Sequence, residues 1–199
     1  MIDAMEDVSA FIVAGGKSSR MGQDKALMKL NGRTLLERAL ELAREVSRDV
    51  RVVGSAEKFA PFAPVIEDVF RDQGPLAGIH AALKSSRTDL NLILAVDLPF
   101  LESNFLHYLI AQARATTALV TVPRAAGAWQ TLCAVYRRGF AQYAEQSLRE
   151  GKNKIDPLFA RVQTKVVEES ELLQQGSSPN IFQNLNTPEE FKKAKKRNL

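Results

Sequence analysis

The hydrophobic positions of this chain alternate between short continuous runs and runs with helical spacing. Residues 9–14, SAFIVA, form a short apolar run that is typical of a strand buried on both faces. From Thr34 to Val46, apolar residues recur every three or four positions, which predicts an amphipathic helix. Thr34 and Glu37 have the spacing of a capping box, so we expect this helix to begin at Thr34.

The same alternation continues along most of the chain. Predicted strands are DVRVVGS, PVIEDV, LNLILAV, TALVTVP, TLCAVY and TKVVEE, and predicted helices are GPLAGIHAALKSS, ESNFLHYLIAQA, GFAQYAEQSLREG and KIDPLFA. Strands that alternate with helices favour an α/β fold with right-handed crossovers. We therefore predict one domain over residues 1–199, built on a mainly parallel, twisted, Rossmann-like sheet with helices on both faces.

Composition and charge narrow the class of protein. The single cysteine, Cys133, excludes a disulfide framework or cysteine-based zinc site within one chain and suits a reducing cytoplasm. No apolar run is long enough for a membrane span, and the first residues are acidic where a signal peptide is basic. Much of the excess behind the net charge of +4 lies in KKAKKR, and no nucleic-acid motif accompanies it. We expect a cytoplasmic protein with neither a membrane nor a nucleic-acid partner.

The first predicted strand leads into VAGGKSSRMGQDK, residues 13–25, a loop with three glycines and three basic residues. It is not a Walker A loop, because Phe11 occupies the position of that motif's first glycine, and its glycines are wrongly spaced for a dinucleotide-binding loop. Glycines still let backbone N–H groups approach phosphate oxygens, and Lys17, Arg20 and Lys25 add positive charge. The loop predicts a polyanion site. The alternative is a tight turn with surface lysines.

Two acidic residues follow other predicted strands. Asp97 ends LILAVD, and Asp68 lies in VIEDV before the glycine-containing turn QGPLAG. Ligands of open parallel sheets collect outside the carboxyl ends of the strands, so Asp97 is expected to point into that crevice. Because Mg²⁺ accepts one carboxylate plus phosphate oxygens, Asp97 is the predicted metal ligand. Asp68 is expected to meet a ribose or the metal, and a helix-capping role for Asp97 is the alternative.

Several of these segments together resemble one family. VAGGKSSRMGQDKALMKLNGRTLL, VIEDVFRDQGPLAGIHAAL, LAVDLPFL, WQTLCAVY and FQNLNTPEEF are similar, in order and spacing, to motifs of the molybdenum cofactor guanylyltransferases, which are MobA-like nucleotidyltransferases. The resemblance covers nearly the whole chain. It implies an Mg²⁺-dependent enzyme that transfers GMP from GTP to the phosphate of the molybdenum-molybdopterin cofactor and releases pyrophosphate. Transient contact with a cofactor-inserting protein or a molybdoenzyme is also expected.

The resemblance also assigns residues. Those implied for the nucleotide are Val13, Ala14, Gly15, Gly16, Lys25, Asp68, Gly78 and Asp97; those implied for catalysis are Asp97, Lys25 and Arg20; and those implied for the pterin side are Asn184 and Asn186. Asp97 would hold Mg²⁺. Trp129 is interpreted as a residue beside the mouth of the site, where an aromatic ring can stack on a flat ligand. His80, His107 and Cys133 are interpreted as structural.

Three positions depart from the family pattern, and the substrates stay open. Val13 and Val96 stand where the family often has leucine and cysteine, which are apolar exchanges that leave the loop chemistry unchanged. Gly54 stands where some family members place an asparagine that touches the nucleotide, so that contact is in doubt. Gly15 and Gly16 with GPLAG favour guanine, whereas the related cytidylyltransferases tend to have alanine then glycine in the first loop. A nucleotidyltransferase for a different phosphorylated acceptor, such as a sugar phosphate, also fits the first loop. So does a nucleotide-binding adapter that delivers cofactor without chemistry.

Overall fold

The structure is a computed structural model and describes residues 5–15, 24–70, 72–185 and 187–195. The strands are β1 (Val8–Val13), β2 (Lys29–Leu30), β3 (Arg33–Thr34), β4 (Asp49–Val53), β5 (Val65–Ile66), β6 (Leu90–Ala95), β7 (Val120–Ala125), β8 (Ala128–Trp129), β9 (Cys133–Arg137) and β10 (Thr164–Val167). The α-helices are α1 (Leu35–Arg44), α2 (Ala56–Phe59), α3 (Pro75–Ser85), α4 (Ser103–Arg114), α5 (Ala141–Arg149), α6 (Asp156–Phe159), α7 (Glu169–Gln174) and α8 (Pro188–Ala194). Short 3-10 helices cover Lys25–Leu27, Arg138–Phe140 and Pro179–Phe182.

The central sheet has the strand order β10-β7-β9-β6-β1-β4-β5, with β8 paired to β7. β1 runs parallel to β4 and β6, β4 to β5, and β7 to β10, whereas β9 is antiparallel to both β6 and β7. The prediction of a mainly parallel α/β sheet is confirmed. Because β9 reverses between them, β6 and β7 point the same way. The carboxyl ends of β1, β4, β6 and β7 therefore share one side of the sheet, which we call the carboxyl edge.

Helices cover both faces of this sheet, as predicted. Side chains of β1 alternate between the faces: Ala10 and Ile12 pack with α1, α4 and α8, while Phe11 and Val13 pack with α3, α5 and α6. Both faces of β1 are thus buried, which explains its continuous apolar sequence. In the part of the chain that the structure describes, no helix has the length and apolar character needed to cross a membrane.

The predicted capping box at the start of α1 is confirmed. The Thr34 hydroxyl accepts a hydrogen bond from the Glu37 backbone N–H at 3.1 Å, and the Thr34 N–H donates to the Glu37 carboxylate at 2.7 Å. Just before it, β2 and β3 form a small hairpin that the hydrophobic pattern did not indicate. Its turn is Asn31-Gly32, with φ of 51° and 86°, the positive values that two-residue hairpin turns require.

His80, which the sequence analysis interpreted as structural, is buried between α3 and α5. Its ring makes an edge-to-face contact with Phe70 at 5.2 Å between centroids, and its Nε2 lies 3.6 Å from the Glu145 carboxylate. Neither ring nitrogen has a hydrogen-bond partner among the described residues. Burial lowers the pKa of His80 below its ordinary value, against the smaller opposing attraction of Glu145, and Lys84 and Arg149 lower it further.

This lowered pKa predicts acid-sensitive stability. The unfolded chain protonates His80 at about pH 6.5, whereas the folded protein keeps it neutral to a lower pH. The contribution of His80 to the free energy of unfolding is therefore complete above about pH 6.5 and is lost as the pH falls below it. The free energy of unfolding, measured with urea between about pH 8 and about pH 5.5, should therefore decrease more steeply for the natural protein than for His80→Leu. Parallel pH profiles for the two proteins would contradict this account.

Candidate active site

The carboxyl edge begins with the segment that follows β1. The Ala14 N–H donates to the Val53 carbonyl of β4 at 3.0 Å, and the Val96 N–H donates to the Val13 carbonyl at 3.2 Å. These bonds hold the start of the glycine loop between the two neighbouring strands. The main chain at Val13, Ala14 and Gly15 is consequently placed by the sheet itself.

Gly15 is exposed at this edge, and none of the described residues fills the space beside it. A Cβ added there would have no described heavy atom within 4 Å, so a ligand can approach the backbone closely. Such an open backbone is what a phosphate cradle requires. Gly16, Lys17 and Arg20 lie outside the described residues, and their contribution to the cradle stays a prediction.

Lys25 and Asp97 meet at the same edge. The Lys25 Nζ lies 2.5 Å from Asp97 Oδ2, and the two side chains are only 15% and 18% exposed. Asp97 comes directly after Val96 at the end of β6, and Lys25 begins the 3-10 helix Lys25–Leu27. Sequence reasoning placed each of them near the nucleotide, but not in contact with each other. The structure brings two of the three predicted catalytic residues together as an ion pair, and the third, Arg20, lies outside the described residues.

A second ion pair supports the position of Lys25, and no sequence motif indicated it. Asp24 caps the 3-10 helix, since its carboxylate accepts a hydrogen bond from the Ala26 N–H at 3.2 Å. The other oxygen of Asp24 accepts from Lys58 Nζ of α2 at 2.8 Å. Lys58 therefore fixes the capping residue, and the cap fixes the backbone from which Lys25 projects.

The Asp97 carboxylate suits a divalent cation. Lys25 Nζ already contacts one of its oxygens, so a divalent ion at this carboxylate competes with that ammonium. In the residues that the structure describes, no cluster of three or more histidine, cysteine, aspartate or glutamate side chains forms a closed metal cage. The single carboxylate of Asp97 is compatible with Mg²⁺, which needs only one or two carboxylates when substrate phosphates complete its coordination.

The C-terminal segment also reaches this edge. The Leu185 N–H donates to the carbonyl oxygen of Asp97 at 3.3 Å, which places the exposed Asn184 beside the predicted metal ligand. Phe182 anchors the segment by packing edge-to-face on Phe105 of α4 at 5.3 Å. Asn186 lies outside the described residues. The contact with Asp97 makes Asn184 available to the site, and its role toward a pterin stays a prediction.

The remaining predicted nucleotide residues lie around β4, β5 and α3. Asp68 is half-buried just beyond the end of β5. Gly78 is buried, and a Cβ there would lie 3.4 Å from Val13 and 3.5 Å from Val53. A Cβ at position 78 would thus make ordinary van der Waals contacts where α3 packs on the ends of β1 and β4. This packing places the first turn of α3 next to the loop after β1, and direct contacts of Asp68 and Gly78 with a nucleotide remain predictions.

The structure gives a reason for Gly54, where some family members have asparagine. A Cβ on Gly54 would lie 2.9 Å and 3.0 Å from two ring carbons of Phe59 and 3.6 Å from the Gly15 nitrogen. Phe59 is fully buried in α2 and belongs to the core. The Phe59 ring thus fills the space that a side chain at position 54 would need.

Gly54→Ala should therefore destabilise the fold. Overpacking against a buried ring lowers the free energy of unfolding by about 1–3 kcal/mol, which urea unfolding followed by circular dichroism can measure. The matched control is Gly15→Ala at the same edge, where open space predicts a change below about 0.5 kcal/mol. Equal stability of the two variants would show that the Phe59 ring moves aside readily.

The other residues interpreted as structural have the expected surroundings. Cys133 is buried in β9, and burial raises the pKa of its thiol, so it does not ionise near neutral pH. His107 is exposed on α4. Trp129, in contrast, lies in β8, next to the end of β7 at the carboxyl edge.

The chain is similar to known proteins over most of its length. A probable molybdenum cofactor guanylyltransferase of Pelotomaculum thermopropionicum is 33% identical over 96% of this chain and 93% of that protein. A probable molybdenum cofactor guanylyltransferase of Carboxydothermus hydrogenoformans is 32% identical over 95% of each. The crystal structure of molybdopterin-guanine dinucleotide biosynthesis protein A from Archaeoglobus fulgidus has a TM-score of 0.82, with 26% identity over 94% of this chain and 96% of that one.

The resemblance that the motifs indicated is thereby confirmed. The family described as MobA-like NTP transferase domain matches residues 10–166, which include most of β1, the Lys25–Asp97 pair and the hairpin with Trp129. The match thus extends from the first strand through β9 and into β10. This chain belongs to the family of MobA-like NTP transferases.

Proposed function

We propose that this protein transfers GMP from GTP to the terminal phosphate of the molybdenum-molybdopterin cofactor and releases pyrophosphate. The observation that carries the proposal is the Lys25–Asp97 pair beside the open backbone of Gly15. A cation, a carboxylate and a loop backbone that a ligand can approach, all at one edge, are what a nucleoside triphosphate needs. The names of the relatives support the choice of GTP and molybdenum cofactor as substrates.

In the proposed reaction, an oxygen of the acceptor phosphate attacks the α-phosphorus of GTP. A new P–O bond forms there, and the bond from the α-phosphorus to the bridging oxygen breaks, so that the electron pair leaves with pyrophosphate. The acceptor phosphate is already largely ionised near neutral pH, and no general base is required. Catalysis consists of alignment and of offsetting negative charge.

Different residues of the chain align the substrates and offset the negative charge. The loop that begins at Gly15 holds the triphosphate through its backbone. Lys25 leaves Asp97 and meets phosphate oxygens, which places its charge where negative charge develops on the leaving group. Mg²⁺, when bound to the Asp97 carboxylate, supplies further neutralisation of the phosphates. Asn184, beside Asp97, faces the acceptor.

The substrates are tested by a panel of nucleotides. Purified protein with Mg²⁺ and molybdenum-loaded molybdopterin should release pyrophosphate with GTP at least tenfold faster than with CTP or ATP. Preference for CTP would replace the guanylyltransferase proposal with cytidylyl transfer, and turnover with sugar phosphates would replace the acceptor. GTP binding without pyrophosphate from any acceptor would indicate a delivery adapter. A transient contact with an insertion protein or molybdoenzyme would follow the reaction.

A further inference from the structure

The hairpin formed by β7 and β8 presents an aromatic and a cationic side chain at the carboxyl edge. Arg124 and Trp129 are directly paired across the two strands, and the Arg124 guanidinium lies over the indole at 5.4 Å from the ring centroid. Phe159 of α6 supports the indole with an edge-to-face contact at 5.3 Å. Arg124, Trp129 and Phe159 form what we call the hairpin platform.

The hairpin platform rests on a rigid backbone. After β8, the Gln130 N–H donates to the Pro123 carbonyl and the Cys133 N–H donates to the Gln130 carbonyl, each at 2.9 Å. The buried Tyr136 hydroxyl donates to the Thr131 carbonyl at 2.8 Å. These bonds hold the residues that follow Trp129, so little conformational freedom remains to be lost when a ligand packs on the ring.

The same segment is tied to the strand that carries Asp97. The Ala95 N–H of β6 donates to the Leu132 carbonyl at 2.6 Å. Leu132 is three residues after Trp129, and Ala95 is two before Asp97, so the Trp129 and Asp97 Cα atoms are no more than about 23 Å apart. An indole, a fused ring and a phosphate can together span such a distance. The hairpin platform therefore lies within reach of a molecule whose phosphate is at Asp97.

The charge of the hairpin platform is available to a ligand. Arg124 is exposed, and none of the carboxylates that the structure describes forms an ion pair with it. A guanidinium stacked on indole offers both a flat surface and hydrogen-bond donors. Trp129 is half-buried, so part of its ring is accessible, whereas Phe159 beneath it is buried. This combination suits a flat, electron-rich heterocycle with carbonyl oxygens at its rim.

We infer that the hairpin platform binds the fused ring of the phosphorylated acceptor, while the acceptor phosphate lies near Asp97. This inference rests on the proposed function for the identity of the acceptor. It assigns Arg124 and Trp129 to acceptor binding and leaves the nucleotide to Gly15, Lys25 and the first turn of α3. The acceptor and GTP then bind beside different strands of the sheet, and the acceptor phosphate reaches the α-phosphorus of GTP between them.

Trp129 is the only tryptophan of the chain, so intrinsic tryptophan fluorescence reports on the hairpin platform alone. Titration with molybdopterin should quench or shift this emission, and a pterin without phosphate should do the same at higher concentration. GTP alone should leave the emission unchanged. Free N-acetyltryptophanamide, titrated in parallel, corrects for light absorbed by the ligand. Quenching by GTP and not by the pterins would overturn the inference.

Variants separate ring stacking from packing. Trp129→Leu should raise the KM for the acceptor about tenfold while the KM for GTP stays within about twofold. Trp129→Phe keeps a flat ring on Phe159 and should restore the KM for the acceptor. Arg124→Gln should raise the same constant, whereas the matched control Arg138→Gln, an exposed arginine at the opposite end of β9, should not.

The outcomes for the hairpin platform and for the proposed function can be told apart. Normal turnover of Trp129→Leu at an unchanged KM for the acceptor, with no fluorescence response, overturns the hairpin platform and leaves guanylyl transfer intact. If the natural protein releases no pyrophosphate, guanylyl transfer is overturned. The fluorescence titration then still decides whether the pterin ring contacts Trp129. Urea unfolding of each variant confirms that it is folded.

Discussion

Asp97→Asn should lower the rate of pyrophosphate release at least tenfold while the protein stays folded. Asparagine has nearly the shape of aspartate but no charge, so it neither attracts Mg²⁺ nor pairs with Lys25, whose ammonium lies 2.5 Å from the natural carboxylate. Loss of this largely buried ion pair should lower the free energy of unfolding by only about 1–2 kcal/mol, because the long lysine side chain can turn toward solvent. Pyrophosphate release at saturating GTP, measured over a range of Mg²⁺ concentrations, checks the prediction.

The matched control for this variant is Asp156→Asn. Asp156 is an exposed aspartate at the start of α6 and is not part of the Lys25–Asp97 pair, so its variant should keep natural turnover. Mg²⁺-dependent turnover of Asp97→Asn at the natural rate would remove Asp97 from the metal site and with it the central element of the proposed mechanism.

Lys25→Met should have the second large effect. It should lower kcat/KM for GTP and raise the affinity for a divalent ion in the absence of GTP. Methionine keeps an unbranched apolar stem but removes the charge, so kcat/KM for GTP should fall by about 10²-fold, the size expected when one preorganised electrostatic contact is lost. Without GTP, however, the variant should bind a divalent ion more tightly, because the ammonium no longer competes for the Asp97 carboxylate. Binding of Mn²⁺, followed by electron paramagnetic resonance, measures this second effect directly.

Lys152→Met is the control for nonspecific loss of charge. Lys152 is exposed beyond the end of α5, where it pairs with Glu150, and its variant should match the natural protein in both measurements. The double variant Lys25→Met with Asp97→Asn should be far from additive, since each single change already breaks the same pair. Additive effects on kcat/KM, or unchanged Mn²⁺ binding in Lys25→Met, would show that the two residues act separately.

The hydrophobic pattern predicted the main strands of the sheet but not the direction in which each strand runs. The apolar runs that became β1, β6 and β9 were all recognised as strands, because continuous burial leaves a clear hydrophobic signal. That signal is the same for parallel and antiparallel neighbours, so the reversal of β9 between β6 and β7 could not be read from it. Among the two-residue strands, β5 was predicted from the run PVIEDV, whereas β2, β3 and β8 were missed because no comparable apolar run marks so short an element.

The sequence predicted which residues form the site, but not which of them contact one another. The glycine loop and Asp97 were recognised because each follows a buried strand, and parallel strands bring their carboxyl ends to one edge. Sequence did not indicate that Lys25 touches Asp97, that Leu185 bonds to the Asp97 carbonyl, or that Phe59 fills the space beside Gly54. Each of these contacts joins side chains or main chain from different elements, and no local pattern encodes it.

By itself, then, the sequence determined the class of fold, the family and the residue types that handle a triphosphate, because burial and motif spacing are local properties of the chain. The tertiary structure alone decided which of those residues are partners. The pairing of Lys25 with Asp97, and the arrival of Trp129 at the same edge through the reversed strand β9, depend on how distant strands align in the sheet. That alignment follows from packing the two faces of the whole sheet at once, and no single segment contains it.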